Sequence, residues 1–133
     1  MAMALVVARG VIETLLTQAA RAHPLEACGL LSGACGRIDH AVVTANVHPD
    51  PLRHFEIDPA ALIAAHKAAR EGGAAVAGYW HSHPSGAAVP SATDRASAAG
   101  GGKVWAIVAG GEVAFWCDGS GGFEPLSYIV PRR

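Results

Sequence analysis

Hydrophobic and polar positions along this chain follow two periods. Over residues 11–21, Ile12, Leu15, Leu16 and Ala19 recur at helical spacing on one face, which predicts an amphipathic helix. His23-Pro24 closes it, because the residue before proline is pushed out of the helical region. Ahead of it, residues 4–8 (ALVVA) read as a first strand or as the lead-in to the helix. Residues 26–32 (EACGLLS) form a short apolar run that fits a buried strand. The Gly33-Ala34-Cys35-Gly36 turn then leads into a second strand over residues 37–46, so the two read as a hairpin. Residues 47–54 hold two prolines and read as a loop.

The second half repeats the logic. Residues 55–57 are extended. Asp58 then supplies an N-cap and Pro59 the first helical position of a helix that runs to about Arg70 and stops at Gly72-Gly73. Residues 74–80 (AAVAGYW) form a buried strand that delivers His81 at its end. Residues 91–99 suit a short helix closed by Gly100 to Gly102. Residues 104–109 and 112–117 make another hairpin around Gly110-Gly111, and residues 123–130 a last strand. The sum is an α+β (α/β/α) fold, a mixed sheet flanked by about three helices. Residues 1–133 read as a single domain without internal repeats or a linker.

Composition narrows the function. Hydrophobic residues make up 51% and charged residues 16% of the 133, a globular balance that can bury one core without staples. A formal net charge of −1 leaves no electrostatic footprint for nucleic acid, and Arg132-Arg133 is too short to be a basic arm. Cys28, Cys35 and Cys117 form no CxxC pair and read as reduced thiols. Residues 1–10 lack the basic start and the long apolar stretch of a signal peptide. No run approaches the ~18 apolar residues of a membrane span, so no membrane partner is expected and the expected compartment is the cytoplasm.

The candidate chemistry lies in YWHSHPSGAAVPSATDRAS, residues 79–97. On a strand, positions i and i+2 point the same way, so His81 and His83 present two imidazoles on one side. Two imidazole nitrogens suit zinc, and a carboxylate is a natural third ligand. Asp94, across a Pro/Gly loop, is the candidate. Glu26, a lone carboxylate at the head of an apolar strand, is the candidate general base outside the ligand set. Each piece also has a plain structural reading. His-x-His can be two exposed strand-end residues. Ser91-x-x-Asp94 resembles an ordinary helix capping box. Glu26 could cap the preceding turn or pair with Arg37. None of these readings predicts all the pieces together. Cys28 could share the face of Glu26 but reads as a buried thiol. His48, His54 and His66 read as surface or groove residues, with His54 and its loop bordering a possible substrate groove. Trp80, Trp105 and Trp116 read as core or sheet-face aromatics.

His81-Ser82-His83-Pro84, six residues, then Ser91-Ala92-Thr93-Asp94 resembles the motif of the JAMM/MPN+ (Mov34/JAB) zinc metalloproteases. The segment Pro24-Leu25-Glu26-Ala27-Cys28-Gly29-Leu30-Leu31 is similar to the glutamate segment of short bacterial members, and Phe55-Glu56-Ile57-Asp58-Pro59 to the passage between the two. The resemblance implies a curved, partly barrel-like mixed sheet of cytidine-deaminase-like architecture. It implies one catalytic zinc ion on His81, His83 and Asp94, with Glu26 as general base and Ser91 as donor to the tetrahedral oxyanion. It also implies hydrolysis after the C-terminal Gly-Gly of a ubiquitin-like or small β-grasp sulfur-carrier (ThiS/MoaD-type) conjugate. Two other readings stay open: an inactive MPN scaffold, and a zinc amidohydrolase acting on an unrelated small amide. A DNA-repair relative is disfavoured by the near-neutral charge.

Overall fold

The computed structural model describes residues 4–132; Met1 to Met3 and Arg133, on which part of the terminal reading falls, lie outside the described residues. Strand β1 (Leu5–Val7) leads into helix α1 (Arg9–Ala22). Strand β2 (Cys28–Ser32) follows, then β3 (Arg37–Ile38) and β4 (His40–Thr44). Helix α2 (Pro59–Arg70) opens at Asp58, whose carboxylate accepts from the Ala60 amide at 3.0 Å, with Pro59 in the first turn as its fixed φ favours. Strand β5 (Val76–Ser82) and helix α3 (Ala92–Ser97) carry the histidine and serine–aspartate segments. Strands β6 (Lys103–Ala109), β7 (Glu112–Gly119), β8 (Gly122–Leu126) and β9 (Tyr128–Ile129) complete the chain.

Six strands form the main sheet in the order β4-β2-β5-β6-β7-β8, with β5 and β6 parallel and the other pairs antiparallel. The other three form a small parallel sheet, β3-β1-β9. The mixed sheet and three helices agree with the sequence reading, but two expected strands are broken. The run over residues 37–46 splits at Asp39: β3 joins β1 while β4 pairs with β2. The run over residues 123–130 splits at Ser127, so that β8 extends the main sheet and β9 joins β1. Both splits let one apolar run serve two sheets that close around a shared core. Residues 55–57 form only a single bridge, Asn46 to Ile57.

The alternation of β5 and β6 divides the layers. Trp80, Ala106 and Val108 join Val7, Leu15, Leu31 and Phe115 in the core under α1. Tyr79, His81, Trp105 and Ile107 point to the opposite face, where α2 and α3 lie. Trp80 is wholly buried and its indole N–H donates to Val42 O at 3.0 Å, reaching from β5 over β2 to β4. Gly29 permits this crossing: a Cβ there would collide with both the indole and the Val42 carbonyl. The sheet beneath the histidines is thereby locked across three strands.

Candidate metal centre

His81 lies within β5, paired with Cys28 of β2 on one side and Ile107 of β6 on the other. It is wholly buried, and Phe55 stacks on its ring at 4.2 Å between centroids. His83 follows just after the strand end, with its amide donating to Val108 O at 2.8 Å. Its Nδ1 donates to Ala87 O at 2.9 Å, which fixes the tautomer and leaves Nε2 as the free lone pair. His81 Nδ1 has no partner among the described residues.

Asp94 comes from α3. Ser91 is the N-cap: its Oγ accepts from the Asp94 amide at 3.0 Å, and Asp94 Oδ2 accepts from the Ser91 amide at 2.9 Å. The capping box of the plain structural reading is therefore present, and the Asp94 carboxylate that closes it is also the one grouped with the two histidines. The box turns the 3%-exposed Asp94 carboxylate inward, to 3.1 Å from His81 Nε2 and 3.3 Å from His83 Nε2. The two Nε2 atoms are 3.0 Å apart.

These three distances test the fit of a metal. A tetrahedral zinc with ligand bonds of about 2.0–2.1 Å needs ligand atoms about 3.3–3.4 Å apart. Two imidazole nitrogens and a carboxylate oxygen stand at close to that spacing, so the residues fit such an ion. Burial would lift the Asp94 carboxyl, but hydrogen bonds with His81 and His83, the His81 charge and the Ser91 amide outweigh it. They hold it well below the usual carboxylate range. Burial pushes His81 below the ordinary histidine value. His83 is raised: its burial acts downward, but the Asp94 and Ala87 hydrogen bonds and the charges of Asp94 and Glu26 outweigh that. An anionic carboxylate and a buried neutral imidazole are the forms a cation takes up.

Glu26 precedes β2 rather than opening it, and Arg37 pairs with Asp39 at 3.4 Å instead, so the pairing reading for Glu26 fails. The segment is tied to the histidine strand: Ala27 N donates to Ser82 Oγ at 2.8 Å, and Ser82 N donates to Ala27 O at 3.0 Å. Glu26 is 7% exposed and lines two neighbouring cavities. Burial pushes its carboxyl up to about 7; His83 opposes the rise, and Asp94 and Asp50 add to it. Cys28 is a buried thiol, as read, raised chiefly by burial, and its Sγ lies 3.7 Å from Thr44 Oγ1.

Sequence reasoning missed two residues that hold this arrangement. Ser82 is the middle of His-Ser-His, and strand alternation alone sends its hydroxyl away from the imidazoles, toward Ala27. Asn46 uses both ends of its amide. Nδ2 donates to Glu26 O and His54 O at 3.0 Å each, and Oδ1 accepts from His48 N at 3.1 Å and Glu56 N at 3.0 Å. An asparagine after a strand is too common a signal to have found it. Asn46→Ala should lose about 2–3 kcal/mol in urea unfolding, because two donors and two acceptors lose their partner at once. His48 and His54 pack together at 4.8 Å, and His54 lines one of the two cavities beside Glu26, whereas neither belongs to the cation-ready group.

No helix of the described chain is long and apolar enough to cross a membrane. Residues 8–118 match the family described as prokaryotic homologs of the JAB domain. A protein of Thermus thermophilus named "Probable TtuB-protein conjugate cleaving protease" is 38% identical over 90 residues, 68% of this chain and 60% of that protein. A desampylase of Haloferax volcanii is 38% identical over 89 residues, 63% of this chain and 62% of that protein. The match thus spans about three fifths of the length of each of these relatives. A protein of Desulfitobacterium hafniense solved in solution superposes with a TM-score of 0.84 at 28% identity, covering 97% of this chain and 94% of that one. A JAB1/MPN domain protein of Archaeoglobus fulgidus shares the fold with a TM-score of 0.66 at 24% identity, covering 98% and 100%. With the family match over most of the chain and the fold in agreement, this protein belongs to the JAB/MPN (JAMM) family, among its prokaryotic homologs.

Proposed function

We propose that the protein is a zinc-dependent metallopeptidase of isopeptidase type. Its substrate would be a conjugate of a ubiquitin-like or sulfur-carrier (ThiS/MoaD-type) protein, cut after the carrier's C-terminal Gly-Gly. The observation that carries the reading is the spacing of His81 Nε2, His83 Nε2 and Asp94 Oδ2, 3.0–3.3 Å apart, beside a buried carboxyl at Glu26. The names of the two relatives, a conjugate-cleaving protease and a desampylase, support the substrate class. Three free cysteines fit a reducing, cytoplasmic setting.

His81, His83 and Asp94 would hold the zinc ion, which when bound would supply Lewis acidity toward the scissile carbonyl and lower the pKa of water toward neutrality. The remaining work falls to the chain. The Glu26 carboxylate takes the proton of the attacking water and delivers it to the leaving nitrogen as the C–N bond breaks. Ser91 Oγ already accepts from the Asp94 amide, so its own hydroxyl proton is free to donate to the developing oxyanion. Glycine on the acyl side lets an extended tail bring its carbonyl close to the triad without a side-chain clash.

The test is metal content by mass spectrometry on the purified protein and on His83→Ala. Hydrolysis of a β-grasp carrier joined through Gly-Gly to a lysine amine is then assayed. About one zinc per wild-type chain, none in the variant, and release of the intact carrier are expected; full-length carrier conjugate surviving a zinc-loaded enzyme rejects the substrate. Ser91→Ala should retain zinc and lower kcat about 10²–10³-fold, with a loss of about 1 kcal/mol in thermal stability from the missing cap.

A further inference from the structure

The Asp94 carboxylate rides on a weakly supported element. Helix α3 is six residues long, and Asp94 is its one buried residue. A helix this short is not stable by itself, and no apolar side chain of its own anchors it to the sheet. It runs out into Gly100-Gly101-Gly102, with φ of +73° at Gly100 and +83° at Gly102, a tether with little stiffness of its own. His81, by contrast, sits within a strand paired on both sides.

Strand β7 supplies the support. Its alternation sends Phe115 into the core under α1, and Trp116 and Asp118 to the other face. The Trp116 indole N–H donates to Ala88 O at 3.1 Å, ahead of Ser91. Past the end of α3, Asp118 Oδ2 accepts from Ala99 N and Oδ1 from Gly100 N, each at 3.1 Å. The Asp118 carbonyl accepts from Gly102 N at 2.6 Å. Asp118 is 3% exposed and makes no ion pair among the described residues. Lys103, its register partner on β6, sends Nζ to Val76 O at 2.9 Å instead. A buried carboxylate without a cation is costly, and this one is held by main-chain amides of a single segment. Ala88 at one end and Ala99-Gly100 at the other bracket Ser91 and Asp94, so two side chains on one face of one strand hold both ends.

We propose that Asp118 and Trp116 are positioning residues of the metal centre. From β7 they pin the two ends of residues 88–100 and so hold Asp94 at its distance from His81 and His83. The path runs from β5 through β6 to β7 and back along the segment, so a strand that contributes no member of the group places its third member. That the group takes up zinc rests on the hydrolase reading; that β7 holds the segment does not.

The test compares Asp118→Ala, Trp116→Phe and Phe115→Leu with wild type, in the full chain. Phe115 shares the strand but faces the core, so Phe115→Leu lowers the melting temperature without touching the segment. Zinc affinity is measured by competition with a chromophoric chelator, at a temperature where every variant is folded. Asp118→Ala should weaken zinc about 10–100-fold and Trp116→Phe about fivefold, with Phe115→Leu within about twofold of wild type. Hydrogen exchange by NMR on chelator-treated protein reads the segment without metal. The amides of Asp94 and Arg95, bonded to Ser91, should exchange about tenfold faster in Asp118→Ala and at the wild-type rate in Phe115→Leu, because a short helix opens locally. Trp116→Phe, which keeps an aromatic ring in place, should show the same acceleration and guards against an Asp118 variant that fails to fold. Wild-type exchange at Asp94 in both variants overturns the proposal, as does a Phe115→Leu that weakens zinc as much as Asp118→Ala. A wild-type protein that takes up no zinc would sink the hydrolase reading, while faster exchange in the two variants would still uphold the hold of β7 on the segment.

Discussion

Asp94→Asn should empty the metal centre while leaving the fold in place. The carboxylate has two tasks that the substitution separates. Its Oδ2 closes the capping box by accepting from the Ser91 amide, and it faces both imidazoles. An asparagine oxygen can still accept the Ser91 N–H, so α3 keeps its start and the melting temperature should fall by only a few degrees, equivalent to about 1 kcal/mol. The amide lacks the charge that balances a divalent cation between two neutral imidazoles. Zinc per chain should drop from about one to near zero at micromolar free zinc, and conjugate hydrolysis should drop by about 10³-fold or more. Metal analysis, a thermal melt and the hydrolysis assay on one preparation read all three. Full zinc occupancy in this variant would remove Asp94 from the ligand set.

Glu26→Gln has the second-largest expected effect, and it separates chemistry from metal binding. Glutamine keeps the shape but cannot accept the proton of the attacking water. Zinc content should be unchanged and kcat should fall about 10²–10⁴-fold with little change in KM. The same variant reports on the buried carboxyl in chelator-treated protein. The folded carboxyl titrates at about 7 against 4.5 in the unfolded chain. A group raised in this way favours the fold fully below about 4.5, and the contribution is lost as pH rises through about 7. Glutamine does not titrate. The metal-free variant should therefore match wild type near about pH 4 and exceed it by about 2–3 kcal/mol near about pH 8. Urea unfolding at the two pH values measures the difference. A variant no more stable at the higher pH would mean that Glu26 is solvated and not held as a buried base.

Much of this was legible in the residues. Helical periodicity and the His23-Pro24 stop placed α1, and Asp58-Pro59 placed the start of α2, because caps and prolines act through neighbouring backbone atoms only. The spacing of His81, His83, Ser91 and Asp94 was legible for the same reason: strand alternation and a capping box are local geometry, and together they bring His81, His83 and Asp94 into one group.

Contacts between distant segments were not legible. Residues 37–46 and 123–130 each read as one strand, because apolar patterning reports burial and not which sheet provides the partner. Glu26 could be placed near an apolar strand, but its approach to the histidines depends on hydrogen bonds between Ala27 and Ser82, 55 positions apart. Asn46 and Phe55 carry no motif, yet one ties the loop around Glu26 and the other stacks on His81. The sequence by itself determined which side chains could bind a cation and in what local geometry. The tertiary structure alone decided that Glu26 lines the same cavities as Asp94 and His83, because such placements come from packing between elements that no local rule couples.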